Sequence, residues 1–449
     1  MANVIKLRKG LDIRLAGAAK PERVKLPLSD KYALTLPPFV GITPKVMVKE
    51  GDAVKVGDAL FVSKQQTEMK FCSPVSGVVE LVERGDRRKL LSIRIKADAE
   101  QQYVDYSQKV SGDLNGAQIK ELLLGSGLFG YINQLPYAVV ADACSTPKGI
   151  FVSAFRDMPL TCDFEVELKG QENDFQTGLT ALSKIAKTYL GVGAKQTSPA
   201  LLEAKDVEVN IFDGKCPAGN VGVQINHISP VNKGEVVWTV EPTAVIFIGR
   251  LLNTGKVDLT RTVAVAGSEV ADTCYVDTLV GTPISDILSG KLNSSEGKRI
   301  INGNPLTGAK SSLDDFLGAH TSEVCVLPEG SDKDEVLGWI MPRFNQFSAS
   351  RSYFSWLCGK KEYKLDARIK GGKRHMIMSG EYDKVLPMDI YGEYLIKAII
   401  SGNIDKQEAL GIYEVSPEDF ALAEFVDSSK LELQKIVRKG LDILRKENA

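Results

Sequence analysis

The sequence predicts a multidomain α/β protein in which an all-β part, an α/β part and a helical part follow one another along the chain. Residues 1–100 are rich in short apolar runs, and the period-two alternation at residues 91–95 favours strands buried on one face. After Gln118, helical spacing and strand-like runs alternate, which is typical of a layered α/β domain. A chain of 449 residues is long enough for about three domains.

Two glycine-turn motifs define the first domain. Residues 48–60 contain short apolar strands that end at tight glycine turns, and residues 73–79 repeat this pattern at the spacing of carrier modules. The domain thus resembles a barrel-sandwich hybrid of the biotinyl or lipoyl kind, in which the acceptor lysine lies at the tip of the hairpin between the motifs. Here the tip falls near residues 64–67, which makes Lys64 the candidate acceptor. Lys70 is expected on the returning strand, so the sequence does not favour a modified lysine.

Composition excludes several classes of function. The chain carries 56 basic and 57 acidic side chains and a formal net charge of −1, so it lacks the positive field typical of nucleic-acid-binding proteins. Its seven cysteines include no CxxC pair, so neither a metal knuckle nor a cysteine-ligated iron–sulfur cluster is expected, and this usage suits a reducing cytoplasm. No run of 18 apolar residues occurs, so no transmembrane segment is expected.

Residues 101–257 are predicted to form a Rossmann-like, three-layer α/β domain, because helical and strand patterns alternate there. The expected elements are a helix ending at Gly125, a strand at 149–153, an amphipathic helix over 175–190 and a strand at 207–212. Such alternation is typical of a sheet that is covered by helices on both faces.

A GxGxxG string at residues 125–130 raises the alternative of a dinucleotide site, with Asp142 as the candidate ribose partner. In that fingerprint a strand leads into the glycine turn, which places the pyrophosphate on the N-terminus of the following helix. Here the glycines follow a predicted helix, and a Leu-Pro pair interrupts the segment downstream. The context therefore favours a helix C-cap and a loop over a nucleotide site.

Residues 258–330 are predicted to form a small β-grasp unit, and residues 331–449 an aromatic segment followed by helices. The β-grasp elements are a strand at 263–267, a helix over 281–288 capped by Thr282 or Ser285, and a strand at 299–308. In the tail, Ser416 precedes a proline at a predicted helix start. The last helix has one apolar face, made of Leu433, Ile436, Val437, Leu441 and Leu444.

Three motifs carry a resemblance that spans essentially the whole chain, at residues 9–12, 212–231 and 338–348. On these motifs the sequence is similar to the NqrA family, whose members belong to Na+-translocating NADH:quinone oxidoreductases. The domain order is more distantly similar to that of the barrel-containing subunit of the Rnf-type ferredoxin:NAD oxidoreductase. The last two parts resemble the NADH-binding flavin subunit of respiratory complex I. The resemblance also implies that the β-grasp unit is of the SLBB type.

The resemblance implies a peripheral subunit on the cytoplasmic side of the bacterial inner membrane, in a six-subunit complex that reduces quinone with NADH and exports Na+. NADH, the flavins, the iron–sulfur cluster and the Na+ path would belong to other subunits. This subunit would scaffold the complex and contribute to quinone binding, with no catalytic residue, metal or redox cofactor of its own. Where the flavin-binding relative has a glycine-rich loop, this chain has the bulky Leu128, Phe129 and Tyr131, which leave no bare backbone for a flavin.

A quinone headgroup needs apolar or aromatic walls and one or two donors for its carbonyl oxygens. Around the loop at residues 216–220, the candidates for quinone binding are Phe151, Phe155, Gly219, Asn220 and His227. The two phenylalanines would be walls and the histidine a donor. At two positions where the family often has histidine this chain has Cys216 and Asn226, which argues against proton transfer by this loop.

Residues 339–356 are the strongest candidate for docking onto another subunit, because aromatic residues and arginine are enriched in protein interfaces and rings also suit lipid headgroups. The candidate residues are Trp339, Arg343, Phe344, Phe347, Arg351 and Phe354. An aromatic core of the tail is the alternative for this segment. For the whole chain, the alternative is a free-standing lipoyl or biotinyl carrier or a nucleotide-binding α/β enzyme, which would use Lys64, Lys70 or the glycine string.

Overall fold

The computed structural model describes residues 3–293, 297–331, 341–359 and 361–448. The first domain is a sandwich of two small antiparallel sheets, as the alternating pattern predicts. In spatial order the strands are Lys31–Thr35, Leu90–Ala97, Gly77–Arg84 and Ala53–Val54 in one sheet and Pro44–Val46, Ala59–Ser63 and Lys70–Cys72 in the other, with a 3-10 turn at Asp86–Arg88. Leu60, Phe61 and Ile93 are fully buried in its core.

The carrier-like hairpin of this domain is closed against the second domain. Lys70 begins the returning strand, which confirms its predicted place. At the tip, the Gln66 side chain donates to the Asp142 carboxylate and accepts a 3.2 Å hydrogen bond from the Ala143 N–H. The tip is therefore held on its neighbour, whereas a carrier presents its tip to a partner enzyme.

Two strands from the start of the chain lie outside this sandwich. Asn3–Lys6 pairs in parallel with Glu208–Asp213 in the sheet of the second domain, and Arg23–Lys25 pairs in parallel with Cys274–Leu279 in the sheet of the third. An added strand satisfies the unpaired N–H and C=O groups of a sheet edge. The first 25 residues thus tie the domains together, and the sandwich itself begins at Lys31 rather than at the first residue.

The second domain is built on a seven-stranded sheet. In spatial order its strands are Asn3–Lys6, Glu208–Asp213, Thr188–Gly193, Ile150–Ser153, Val237–Val240, Ile132–Leu135 and Val139–Val140. The first five are parallel, and Ile132–Leu135 pairs antiparallel with its neighbour on each side. Its α-helices are Ser107–Val110, Gly116–Ser126, Phe164–Leu168, Glu172–Ile185, Pro199–Leu202, Val221–Ile228 and Pro242–Thr254.

Side chains on the central strand point alternately to two layers of helices. Ile150 and Val152 belong to the main core, together with residues of helices Glu172–Ile185 and Pro242–Thr254, whereas Phe151 packs in a separate cluster on the opposite face. Buried side chains on both faces of one strand require cover on both faces. The predicted three layers are thus present.

The amphipathic helix predicted over 175–190 is shorter than expected. The helix is Glu172–Ile185, and Leu190, expected on its apolar face, lies in the strand Thr188–Gly193. The backbone becomes extended at Ala186, with φ −156° and ψ 165°. Threonine, tyrosine and valine follow, and such β-branched and aromatic side chains favour strands. The helical spacing of the leucines continues into the following strand, so the predicted end of the helix lies too far along the chain.

The glycine string ends a helix, as predicted, and brings two domains close together. Helix Gly116–Ser126 ends at the left-handed Gly127 (φ 82°), two residues later than expected, and a 3-10 turn follows over Leu128–Tyr131. A Cβ atom at Gly127 would lie 2.8 Å from the Cys72 Sγ atom. One at Gly130 would lie 2.6 Å from a ring carbon of Phe71, in the same strand as Cys72. These glycines are therefore explained by a cap and by the close approach of the hairpin strand.

The third domain has a six-stranded sheet. In spatial order its strands are Ala309–Ser311, Lys298–Asn302, Glu323–Pro328, Thr260–Ala266, Cys274–Leu279 and Arg23–Lys25, and its helix is Ile284–Ile287. The predicted helix cap is wrong, because Pro283 takes the N-cap position and makes no side-chain cap. Thr282 instead donates to the Leu279 carbonyl at 2.8 Å, and Ser285 lies within the helix.

The tail is helical. Its α-helices are Tyr382–Val385, Gly392–Ile400, Ile404–Ala409, Ala421–Val426 and Leu433–Glu447, and its 3-10 turns are Phe354–Cys358, Ile412–Glu414 and Pro417–Phe420. Ser416 and Asp419 form a capping box at the predicted start. The predicted face of the last helix is confirmed, since its leucines and valine are fully buried and its isoleucine packs against the same core.

Candidate functional site

A cavity opens at the carboxyl ends of neighbouring strands in the second domain. Strand Ile150–Ser153 has the next strand of the chain, Thr188–Gly193, on one side and the later strand Val237–Val240 on the other. Strand connections that diverge in this way leave a crevice in which open α/β sheets bind ligands. The cavity has a volume of about 840 Å³, which suits a small organic molecule.

All four parts of the chain line this cavity. Among its lining residues are Pro37, Glu83 and Arg94 of the first domain, Ser153, Phe155, Arg156, Asp157, Gly219, Asn220 and Glu241 of the second, Asn304, Lys310, His320 and Glu323 of the third, and Glu418 of the tail. A site assembled from segments so distant in sequence depends on the packing of the domains rather than on one local motif.

The structure brings three of the five predicted quinone-binding residues together at the cavity and leaves two away from it. Phe155, Gly219 and Asn220 line it. Phe151 is buried on the other face of the sheet, where its ring stacks on Tyr189 at 4.7 Å. His227 is exposed near the end of helix Val221–Ile228, about 10 Å along the axis from the end that meets the cavity.

Tight packing holds the Gly219 loop against the strand end. The Ser153 hydroxyl donates to the Gly219 carbonyl at 2.7 Å, and the Gly219 N–H donates to Asp157 Oδ2 at 3.0 Å. A Cβ atom at residue 219 would lie 2.4 Å from the Phe155 carbonyl oxygen, so only glycine fits here without displacement. Asn220 reaches in the other direction, towards the Glu418 carbonyl at 3.3 Å.

Asp157 is the functional candidate that sequence reasoning missed. Its Oδ2 atom accepts the hydrogen bond from Gly219, but its Oδ1 atom is buried without a hydrogen-bond partner among the described residues. Burial raises the pKa of Asp157 to about 7, and the nearby Asp12 adds to the shift. The carboxyl group can therefore donate a proton to a ligand acceptor below neutral pH. An acidic residue soon after a predicted strand was the available signal.

A second polar group in the cavity is the pair of His320 and Glu241. The His320 Nδ1 atom lies 3.2 Å from Glu241 Oε1, and the ring packs edge-on against Phe39 and Tyr131. Burial alone would raise the pKa of Glu241, but His320 and the nearby Arg261 bring it below its usual value. His320 thus offers an imidazole that is anchored on an ionised carboxylate.

A buried ion pair supports one wall of the cavity. Arg156 Nη1 lies 2.8 Å from Glu167 Oε2, and its other terminal nitrogen donates to Thr243 Oγ1 at 2.9 Å. Burial raises the pKa of Glu323, another lining residue, which accepts a 3.2 Å hydrogen bond from the Cys162 N–H. The Arg156 charge is therefore already compensated within the protein.

The comparison with known proteins identifies the family. Residues 5–98 match the family model of the NqrA N-terminal barrel-sandwich hybrid domain, residues 114–257 that of the NqrA second alpha/beta domain, and residues 262–312 that of the NQRA C-terminal domain, of SLBB type. The NqrA subunit of the Na(+)-translocating NADH-quinone reductase from Neisseria meningitidis is 34% identical over 99% of this chain and 100% of its own. The chain belongs to the NqrA family. The Pasteurella multocida and Yersinia pestis members are 35% and 33% identical over the same shares.

Membership in the NqrA family confirms the predicted order of a barrel-sandwich hybrid, an α/β domain and an SLBB domain. Among solved structures, an NAD+-reducing [NiFe]-hydrogenase in the H2-reduced state aligns with 68% of this chain and 55% of its own, at 13% identity and a TM-score of 0.36. Within the described residues, no helix is both long and apolar enough to cross a membrane. In the same residues, no three His, Cys, Asp or Glu side chains are grouped to hold a metal ion.

The docking segment predicted for this NqrA-family chain is only partly outward-facing. Trp339 lies outside the described residues. Phe344 and Phe354 are 47% and 50% exposed, and their ring centroids are 6.1 Å apart. Phe347 instead points inward, where its ring meets Phe425 at 5.8 Å. The two arginines lie over aromatic rings of the same segment, Arg343 over Tyr353 and Arg351 over Trp356, each at 5.5 Å.

Proposed function

We propose that this chain is the peripheral NqrA subunit of a Na+-translocating NADH-quinone reductase, on the cytoplasmic side of the bacterial inner membrane. The observation that carries the proposal is identity of 33–35%, over 99% of the chain, to proteins that bear the name of this subunit. The complex, of six subunits, would pass electrons from NADH to quinone and export Na+. Flavins, the iron–sulfur cluster, NADH and the Na+ path would reside in other subunits, and this chain alone would not be catalytic.

Assembly is tested by expressing the chain with an affinity tag in its native host. Hydrophobic membrane subunits should co-purify with it, and its intact mass should carry no lipoate or biotin on Lys64 or Lys70. A modified lysine on a chain that purifies alone would instead support the carrier alternative.

We further propose that the cavity at the strand ends receives the quinone headgroup. Phe155 would form an aromatic wall, and Gly219 and Asn220 would shape the floor through their fixed backbone. The two headgroup carbonyls are acceptors, and the protonated carboxyl group of Asp157 and the imidazole of His320 are the cavity groups placed to contact them. Phe151 and His227 play no direct part in this arrangement, because neither lines the cavity.

The raised pKa of Asp157 predicts how quinone binding should depend on pH. Only the protonated carboxyl group can donate to a carbonyl, and the ionised form would repel it, so binding should weaken as pH rises through about 7. If the ionised form does not bind, the affinity falls about tenfold between pH 6 and pH 8. Asp157→Asn keeps a donor at every pH, so this variant should lose the pH dependence.

The test is a calorimetric titration of the full chain with a short-chain quinone at pH 6 and pH 8. Phe155→Ala should weaken binding, and Asp157→Asn should bind equally well at both values. His227→Ala is the matched control, since the exposed ring lies away from the cavity, and it should bind as the unmodified protein does. Binding that is insensitive to Phe155 and Asp157, or that is lost with His227, would remove the cavity from consideration.

A further inference from the structure

The charge of this chain is unevenly distributed. Residues 341–380 contain nine lysines and arginines but only two acidic residues, Glu362 and Asp366, a net charge of +7. The whole chain has a net charge of −1, so all other residues together carry a net charge of −8. A positively charged segment on a protein whose other residues carry a net negative charge is suited to bind an anionic partner.

The same segment exposes large apolar side chains. The 3-10 turn Phe354–Cys358 buries only its serine. Its Phe354, Trp356 and Leu357 are 50%, 50% and 61% exposed, and Phe344 lies against the first of them. Large apolar side chains grouped on a surface usually mark a site of interaction with a protein or a membrane.

Cations and rings form one patch rather than two. The Arg351 guanidinium lies 5.5 Å from the centre of the Trp356 ring, and Lys361 Nζ donates to the Phe344 carbonyl at 3.3 Å. We call Phe344, Arg351, Phe354, Trp356, Leu357 and Lys361 the basic aromatic patch. Rings that insert at headgroup depth, flanked by cations, are the usual composition of a membrane-binding surface.

The patch is fixed to the body of the protein. Phe347, within the same segment, packs between the rings of Tyr363 and Phe425, at 5.6 and 5.8 Å. Tyr363 in turn donates its N–H to the Arg14 carbonyl at 2.9 Å. The tail and the start of the chain therefore hold the patch in place, so its exposed side chains form a surface that can meet a partner.

We propose that the basic aromatic patch docks this chain onto anionic lipid headgroups. The positive charge is spread over forty residues of largely irregular chain and surrounds a few exposed rings, which fits the diffuse negative field of a bilayer better than the discrete pockets of a protein partner. This inference goes beyond membership in a membrane complex, because it states that the chain binds lipid by itself and through which residues.

The test is co-sedimentation of the full chain with vesicles of phosphatidylglycerol and phosphatidylethanolamine, compared with vesicles of phosphatidylcholine alone. The triple variant Arg351→Gln, Lys361→Gln and Lys364→Gln removes the two cations of the patch and a further exposed lysine of the same segment. It should lower the partition coefficient on the anionic vesicles by about 10- to 100-fold. The control triple variant Arg87→Gln, Arg88→Gln and Lys89→Gln removes equal charge from another exposed turn, and it should bind like the unmodified chain. Thermal unfolding followed by circular dichroism checks that both variants fold.

A second variant tests the apolar contribution. Trp356→Ser with Leu357→Ser should abolish the binding that survives 0.5 M NaCl, while leaving folding intact. Equal binding of the unmodified chain to anionic and neutral vesicles would overturn the proposal, and so would equal losses in the two charge variants. If the unmodified chain does not bind vesicles, and proteins that co-purify with it no longer co-purify with the patch variants, the patch is a protein interface and the lipid proposal fails.

Discussion

Replacing Arg156 with methionine should destabilise the second domain strongly. The Glu167 side chain is 1% exposed, and its oxygens are held by Arg156 at 2.8 Å and Thr243 at 2.7 Å. Methionine fills a similar volume but leaves the carboxylate buried with neutral donors only, the Thr243 hydroxyl and the Cys162 thiol. Breaking a buried ion pair from one side costs about 3–5 kcal/mol, because the remaining charge stays desolvated.

Urea unfolding measures this loss. Trp238 is buried in the sheet of the same domain, so its fluorescence reports on that domain once Trp339 and Trp356 are replaced by phenylalanine. Glu167→Gln, added to Arg156→Met, should recover most of the lost free energy of unfolding, because it removes the buried negative charge that Arg156 no longer compensates.

Lys187→Met is the matched control for the ion pair. Its partner Glu208 lies 2.8 Å away, but both side chains are largely exposed to solvent. An exposed pair contributes about 0–1 kcal/mol. Should Arg156→Met cost no more than this control, or should the second substitution fail to recover stability, the buried pair would not support the cavity wall as argued.

Two further predictions concern packing and thiol chemistry. Gly130→Ala should lower the free energy of unfolding by about 1–3 kcal/mol, because the added methyl group meets a buried ring at 2.6 Å. Gly125→Ala, with nothing within 4 Å of its Cβ position, should be neutral or stabilising in urea unfolding by up to about 1 kcal/mol, and the opposite ranking would contradict the packing argument. In the folded chain, a maleimide should label Cys144 and Cys358 first, since the other five thiols are buried. Mass spectrometry that finds a buried thiol modified as fast would contradict the burial.

Local periodicity predicted the elements of the fold well where one signal dominated. The last helix has the expected apolar face, because a single apolar period spans it, and the strand Ile150–Ser153 lies within one residue of its predicted range. The prediction failed where two periods overlap, as at Leu190, and at the cap of helix Ile284–Ile287, where the proline between the two expected hydroxyl caps takes the N-cap position. It also could not place Asn3–Lys6, since a strand added to a distant sheet has no local signature.

The site was harder to predict because its residues converge only through topology. The loop with Gly219 and Asn220 was found from a family motif, but Asp157 and His320 lie in unremarkable stretches that meet only when the domains pack. Phe151 and Phe155 are separated because the strand ends at Ser153: Phe151 packs on a face of the sheet, whereas Phe155 lies beyond the strand end and lines the cavity. A sequence shows which strand a residue occupies more readily than which end of the strand faces a cleft.

The charges around the cavity bear on which ligand it can hold. Arg156 is paired with Glu167, Arg94 lies 3.1 Å from Glu83, and the largely exposed Lys310 lies 3.9 Å from Glu329. Burial raises the pKa of Glu418, a lining residue, and its neighbour Asp419 adds to the shift. The cations are therefore compensated, while buried acids remain to meet the ligand.

A nucleotide would bring phosphate charges against these acids, whereas a quinone brings none. Buried acids with raised pKa values can be protonated and can donate to neutral carbonyls, but they would repel phosphates once ionised. We therefore expect millimolar NADH to leave the titration of the short-chain quinone unchanged at pH 7. Competition between NADH and quinone for the isolated chain would show that the cavity accepts phosphate, and the charge argument would fail. Asp157→Asn removes one of the acids, so any weak binding of NADH should strengthen in that variant rather than weaken.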